Sequence, residues 1–251
     1  MKHLSLMSAD EIRDAVAARY DQVAHTPEAQ FGFPVGKEFA TKLGYPSDVL
    51  AEFPDSAIES FTGAGNPHGH VRPRPGETVL DLGCGAGLDL CIYAKQVTEA
   101  GRVIGVDHST QMIAKAMHNA ESLGMAWAEF ICSGVERIPV DSGEVDVVTA
   151  NGILNLSPDK DNVLIETARV LRPGGRMIFS EIVLTEAIAE VSRDSIDDWF
   201  RCIGGAETIE NLLSRFRRCG FATAEALALT RNARTGHKNS RSATICATTP
   251  N

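Results

Sequence analysis

The chain has 251 residues, 43% of them hydrophobic, with 24 Lys+Arg against 33 Asp+Glu for a net charge of −9. That length suits one large α/β unit with an appended segment. The acidic balance disfavours nucleic acid or an anionic membrane as the main partner, because both reward clustered positive charge. No stretch approaches the roughly 20 apolar residues that span a bilayer. The first seven residues run at once into Ser8-Ala9-Asp10-Glu11, too soon charged for a secretory signal. The six cysteines are scattered without a CxxC pair, which argues against a zinc knuckle. Reduced thiols and a cytoplasmic location are the expectation.

The spacing predicts a helix over residues 8–24. Ser8 caps it, Glu11 completes a capping box, and Ile12, Val16, Tyr20 and Val23 share one face. Residues 25–75 are rich in Gly, Pro and aromatic residues and read as short helices and turns. Together, residues 1–75 form an N-terminal helical and loop lid over the unit that follows. From residue 77 a strand–turn–helix pattern repeats. Strands are expected at Thr78–Leu82, Arg102–Asp107, Ala128–Cys132, Val145–Ala150 and Arg176–Val183. Helices are expected at Leu88–Val97, after the Ser109 cap, and around Asp161–Leu171, ending at Pro173-Gly174-Gly175. A helix at Thr208–Arg218 precedes two last strands near Ala222–Leu229 and Ala243–Thr248. Strands alternating with helices predict an α/β, doubly wound, mostly parallel sheet.

The strongest local signal is Asp81-Leu82-Gly83-Cys84-Gly85-Ala86-Gly87, between the first strand and its helix. Glycines there permit a sharp turn and close approach of a ligand to the backbone. The pattern is GxGxG, with Leu88 where a dinucleotide fingerprint has its third glycine. Asp107, at the tip of the second strand, suits the two hydroxyls of a ribose. An adenosine ligand is expected, and the missing glycine favours S-adenosylmethionine (SAM) over NAD. Asp81 is read either as a strand-end carboxylate, as a group that orders the loop, or as a partner of the methionine amino group.

With ETVLDLGCGAG, VIGVDHSTQMIAKA and ARVLRPGGRMIFSEIV in place, the sequence resembles the class I SAM-dependent methyltransferases, which have a Rossmann-like fold. Over residues 60–225 it is most similar to the arsenite methyltransferase family. Gly63-Ala64-Gly65-Asn66-Pro67, Asn155-Leu156-Ser157-Pro158-Asp159-Lys160 and Cys202-Ile203-Gly204-Gly205-Ala206 carry that resemblance. It implies a SAM-binding methyltransferase domain over residues 76–251 and a small-molecule acceptor. It also implies roles: Asp107 for the ribose, Gly83, Gly85 and Gly87 along the methionine and ribose, and His108 and Met112 flanking adenine. Val135 would offer its amide to adenine, and Asn151 would face the methionine portion and the transferred methyl. In that family, cysteines of three segments bind trivalent arsenic. Here Ala64 and Gly152 stand at two of those positions and only Cys202 matches, so the resemblance supports SAM chemistry and not arsenite as acceptor.

Methyl transfer needs a base only if the nucleophile begins protonated. His68, His70, Glu181 and Asp159 are the candidates, with His68 and His70 expected near the methyl; ordinary hydrogen-bonded loop histidines are the competing reading. His-x-His lacks a third ligand, so no metal site is expected. Cys202 is read as a substrate-side residue or as a buried inert thiol. Tyr20, Phe31 and Phe33 are candidates for the lid. The alternatives kept open are a metalloid or thiol methyltransferase and a non-catalytic SAM-binding protein. Nothing in the sequence reads out an oligomeric state.

Overall fold

The computed structural model describes residues 3–188 and 194–251. Its centre is a seven-stranded sheet of order β3-β2-β1-β4-β5-β7-β6. The strands are β1 (Thr78–Leu82), β2 (Arg102–Asp107), β3 (Glu129–Cys132), β4 (Val145–Asn151), β5 (Leu171–Leu184), β6 (Thr223–Arg231) and β7 (Ser240–Thr248). The first five run parallel, and β7 and β6 add antiparallel at one edge. β1 lies in the middle, paired to β2 and β4. The glycine loop therefore opens where the strand order reverses, the crevice where open parallel sheets bind ligands.

The helices are α1 (Ala9–His25), α2 (Lys37–Lys42), α3 (Ser47–Leu50), α4 (Asp55–Ile58), α5 (His68–Val71), α6 (Leu88–Val97), α7 (Thr110–Ser122), α8 (Lys160–Val170), α9 (Ile196–Phe200) and α10 (Ile209–Arg218). The capping box of α1 forms: Ser8 Oγ accepts from Glu11 N–H, and Glu11 Oε2 accepts from Ser8 N–H at 2.8 Å. α9 was not read from the sequence. It has five residues, too few to show a helical period. β7 begins three residues before its expected start, at Ser240.

Alternation along the strands divides the core. Leu80, Leu82, Val148 and Phe179 pack with Val163, Leu164, Leu212 and Phe216 of α8 and α10. Val79, Val103, Val147 and Ile178 pack with α6. Phe39, Tyr45, Leu50, Phe53, Ile58 and Phe61 join that second cluster, so α2–α4 have no core of their own. The expected lid is thus split in its placement. Its middle is packed with α6 and the sheet, whereas α1 and residues 60–63 wall a cleft at the carboxyl ends of the strands.

Phe216 is fully buried, its ring 5.2 Å from Phe179 and 5.0 Å from Phe221. Phe216→Ala is expected to cost about 3–5 kcal/mol of stability in urea unfolding. Leu229, 54% exposed on β6, should change it by no more than about 0.5 kcal/mol when replaced by Ala.

Candidate active site

The cleft spans about 1010 Å³ of empty space, part of it open to solvent. Its floor is the β1 turn. Gly83 and Gly85 have positive φ values of 70° and 53°, a backbone that side chains rarely adopt. A Cβ on Gly85 would meet nothing within 4 Å, so the loop is open on that side. Gly85 N–H donates to Asp107 Oδ2 and Ser109 N–H donates to Oδ1, each at 2.9 Å. Both Asp107 oxygens are therefore fixed by backbone amides while keeping lone pairs for a ligand. Gly83, Gly85, Asp81, Asp107, His108, Met112, Val135 and Asn151 all line the cleft.

Gly87 does not line it. It caps α6 with φ at 88°, and a Cβ there would come within 3.2 Å of Ala116 on α7, so this glycine serves close packing. Asn151 lines the cleft but has no amide group left over. Its Oδ1 accepts from Ala64 N–H (2.8 Å) and Gly65 N–H (3.1 Å), and its Nδ2 donates to Tyr45 Oη, Gly65 O and Asp89 Oδ2. Its amide ties the residue 63–65 segment to the tip of β4.

The histidine reading is corrected by placement. His70 is exposed, and neither His68 nor His70 lines the cleft. They lie on α5, and the His68 ring packs 6.3 Å from Tyr93. Cys202 is fully buried, outside the lining, with Sγ 3.6 Å from Gly152 O and the thiol pushed up to about 12 by burial. That is an inert thiol, not a reactive one. Glu181 is also fully buried, accepting from Asn155 N–H, Asn155 Nδ2 and Ile182 N–H. Asp159 is exposed and caps α8. Neither acid lines the cleft.

The residue 155–160 and 202–206 segments interlock. Asn155 bridges Glu181 and Ile182 O, Lys160 Nζ donates to Asn155 Oδ1 at 2.8 Å and to Gly205 O, and Trp199 Nε1 donates to Leu156 O at 3.0 Å. A Cβ on Gly205 would stand 2.2 Å from Asn155 O. Ala64, Gly152 and Cys202 meet at this junction: a Cβ on Gly152 would lie 3.2 Å from that of Ala64.

Sequence reading missed several lining residues. Asp89, on α6, accepts from Tyr45 Oη at 2.6 Å and faces the cleft with Asp81. The GxGxG pattern followed by Asp two residues later was a usable signal. Arg13 of α1 donates through Nε to Glu136 Oε1 at 3.1 Å, and Ser157 Oγ donates to the same atom at 2.6 Å. Asp21, further along α1, accepts from Ser109 Oγ at 2.6 Å. These contacts hold α1 across the cleft, and they join elements too far apart in sequence to be foreseen.

Asp81, Asp89 and Asp107 are all held above the ordinary carboxylate range, first by burial. At Asp81 the nearby charges of Asp89 and Asp107 add to this. Such a cleft favours a ligand that brings positive charge.

A mostly parallel sheet with a glycine loop at its central strand and a carboxylate at the tip of the next defines a class I methyltransferase fold of Rossmann-like type. A family model described as a methyltransferase domain matches residues 73–220, and the chain belongs to that family. It is 39% identical over 184 residues to an arsenite methyltransferase of Halobacterium salinarum, covering 73% of this chain and 47% of that protein. The chain spans about half the length of the curated relatives it matches. Among solved structures it is similar to an arsenic(III) S-adenosylmethionine methyltransferase from Chlamydomonas reinhardtii, with a TM-score of 0.61 at 27% identity, covering 87% of this chain and 74% of that one. A geranyl diphosphate C-methyltransferase from Streptomyces coelicolor A3(2) shares the fold, with a TM-score of 0.64 at 17% identity over 94% of this chain and 97% of that one.

The raised acids set a pH dependence. At pH values below the ordinary carboxylate pKa of about 4, Asp81 is protonated in both folded and unfolded chains. Above it the unfolded chain ionises while folded Asp81 keeps its proton, so stability falls as pH rises through that window. In ligand-free protein, Asp81→Asn should raise the melting temperature at pH 8, with the gain shrinking toward zero near pH 4. A gain independent of pH would refute the assignment.

Proposed function

We propose that the chain binds SAM and transfers its methyl group to a small-molecule acceptor. One observation carries this reading: Asp107, both oxygens anchored by backbone amides, stands beside an open glycine turn in an acid-lined cleft. Asp107 would take the ribose diol, and Met112, Val135 and His108 the adenine. Gly83 and Gly85 would let the cofactor lie against the turn, and Asp81 would meet the methionine ammonium. When bound, SAM supplies an electrophilic methyl on a positively charged sulfur.

The chain's own contribution is placement and exclusion of water. α1, latched by Arg13 to Glu136 and by Asp21 to Ser109, roofs the cleft. Val16, Ile153 and Leu156 give it apolar walls. Asn151, Tyr45 and Asp89 hold residues 63–65 against the sheet tip. The action requires no base among the buried acids if the acceptor is already a free nucleophile.

Calorimetry should detect SAM and its demethylated product, S-adenosylhomocysteine. Asp107→Ala is expected to weaken binding by about 1.5–3 kcal/mol, as for hydrogen bonds to a charged group. Unchanged affinity would remove Asp107 from the ribose.

The relatives' printed activity makes arsenite the second reading. Against it stand Ala64 and Gly152, and the burial of Cys202 at a junction with no second sulfur in the three segments. A thiophilic centre needs several soft ligands. Mass spectrometry after incubation with arsenite, SAM and thiol should show little methylarsenical; robust methylation would restore the metalloid reading.

A further inference from the structure

The part of the cleft between α1 and residues 152–157 differs in chemistry from the part around the β1 turn. Arg13, Val16, Ala17 and Tyr20 recur at helical spacing, so one face of α1 looks into it. Gly152, Ile153, Leu156 and Ser157 line it as well. Ile153 marks the boundary with the glycine turn, because a Cβ on Gly83 would meet its side chain at 2.9 Å.

The polar side chains of this part are committed to one another or to the frame. Arg13 donates to Glu136 at 3.1 Å and to Asp10 at 2.7 Å, and Ser157 Oγ donates to Glu136 at 2.6 Å. Thr62 Oγ1 donates to Pro34 O at 2.9 Å and accepts from Arg234 Nη1, while Arg234 Nη2 donates to Tyr20 Oη at 3.0 Å. Arg234, in the link between β6 and β7, stands in the field of the buried Glu181 carboxylate. Arg13 and Arg234 thus each have an acid to answer them. The acids that a positive ligand would complete, Asp81, Asp89 and Asp107, belong to the cofactor part.

A charged acceptor would have to part Arg13 from Glu136 and leave a largely buried charge unpaired, which is costly. Val16, Ala17, Ile153 and Leu156 instead offer apolar surface, where each methylene removed from water adds affinity. We propose that the methyl acceptor is an uncharged molecule with an apolar body, seated between α1 and the Ile153–Leu156 turn. The inference rests on the methyltransferase reading and adds to it the class of acceptor. Val16, Ala17 and Ile153 select that molecule by contact, and the Arg13–Glu136 pair excludes ions by staying closed.

The probes are hexanol, heptanol and octanol, with octanoate and octylammonium as counterparts that are both ionised at about pH 7. Each is titrated calorimetrically into the protein with and without S-adenosylhomocysteine. Affinity should rise about threefold to fourfold per methylene along the alcohols, and octanol should bind at least about tenfold tighter than either ion. Val16→Asp should weaken octanol about tenfold more than it weakens S-adenosylhomocysteine, and Ala17→Asp gives the same reading if the first variant fails to fold. An ion that binds as tightly as octanol, no binding of octanol, or an octanol affinity that both variants leave intact overturns the acceptor class. Wild-type protein that does not bind S-adenosylhomocysteine overturns the SAM reading instead, and the titrations without it still decide the acceptor class.

Discussion

The side-chain amide of Asn151 is the contact on which the shape of the site depends. Standing at the tip of β4, it is bonded to the backbone of Ala64 and Gly65, to Tyr45 and to Asp89. Those partners come from the N-terminal segment and from the first turn of α6, so one planar group joins three separate stretches of chain. The close approach has a steric requirement. A Cβ on Gly63 would stand 2.5 Å from the amide, and one on Gly65 would stand 2.8 Å from Ser180. Glycines at 63 and 65 are therefore packing residues, and the wall of the cleft formed by residues 60–63 follows from them. A half-satisfied amide at this depth would cost more than it contributes, which is why every donor and acceptor of Asn151 is used.

Around that knot the protein buries charge in a divided pattern. Carboxylates gather at the β1 turn, where a ligand's positive charge completes them. Lys160, Glu181 and Glu207 gather behind the cleft, where they complete one another: Glu181 is fully hydrogen-bonded, and Lys160 lies 3.6 Å from Glu207. The second group fixes the turn that carries Cys202, Gly204 and Gly205. The residues that made the resemblance specific thus act on architecture. Cys202 sits with φ at 64° inside that turn, buried and sulfur to carbonyl.

Much of the cofactor half was legible because its residues are local. Gly83, Gly85 and Asp81 lie within five positions, and Asp107 follows at the next strand end, so spacing alone puts them at one crevice. Asp89 was also within reach, eight residues after Asp81 and on the same loop–helix unit. The other half was not legible. Tyr45, Arg13, Glu136 and Arg234 reach the site across 44 to 214 residues of separation, with no periodicity that links them. His68 and His70 looked functional because a polar pair in a loop is a common sign of chemistry; in the structure neither lines the cleft.

By itself the sequence determined the order of strands and helices, the parallel sheet and the position of the glycine loop, because hydrophobic period, caps and glycines act over a few neighbouring residues. Tertiary structure alone decided which polar side chains serve the cleft and which serve the frame. Asn151, Glu181 and Cys202 are chemically capable groups whose lone pairs and protons are occupied by distant backbone. Only the packed chain brings those backbone atoms to them, and that occupancy is what separates a structural group from an available one.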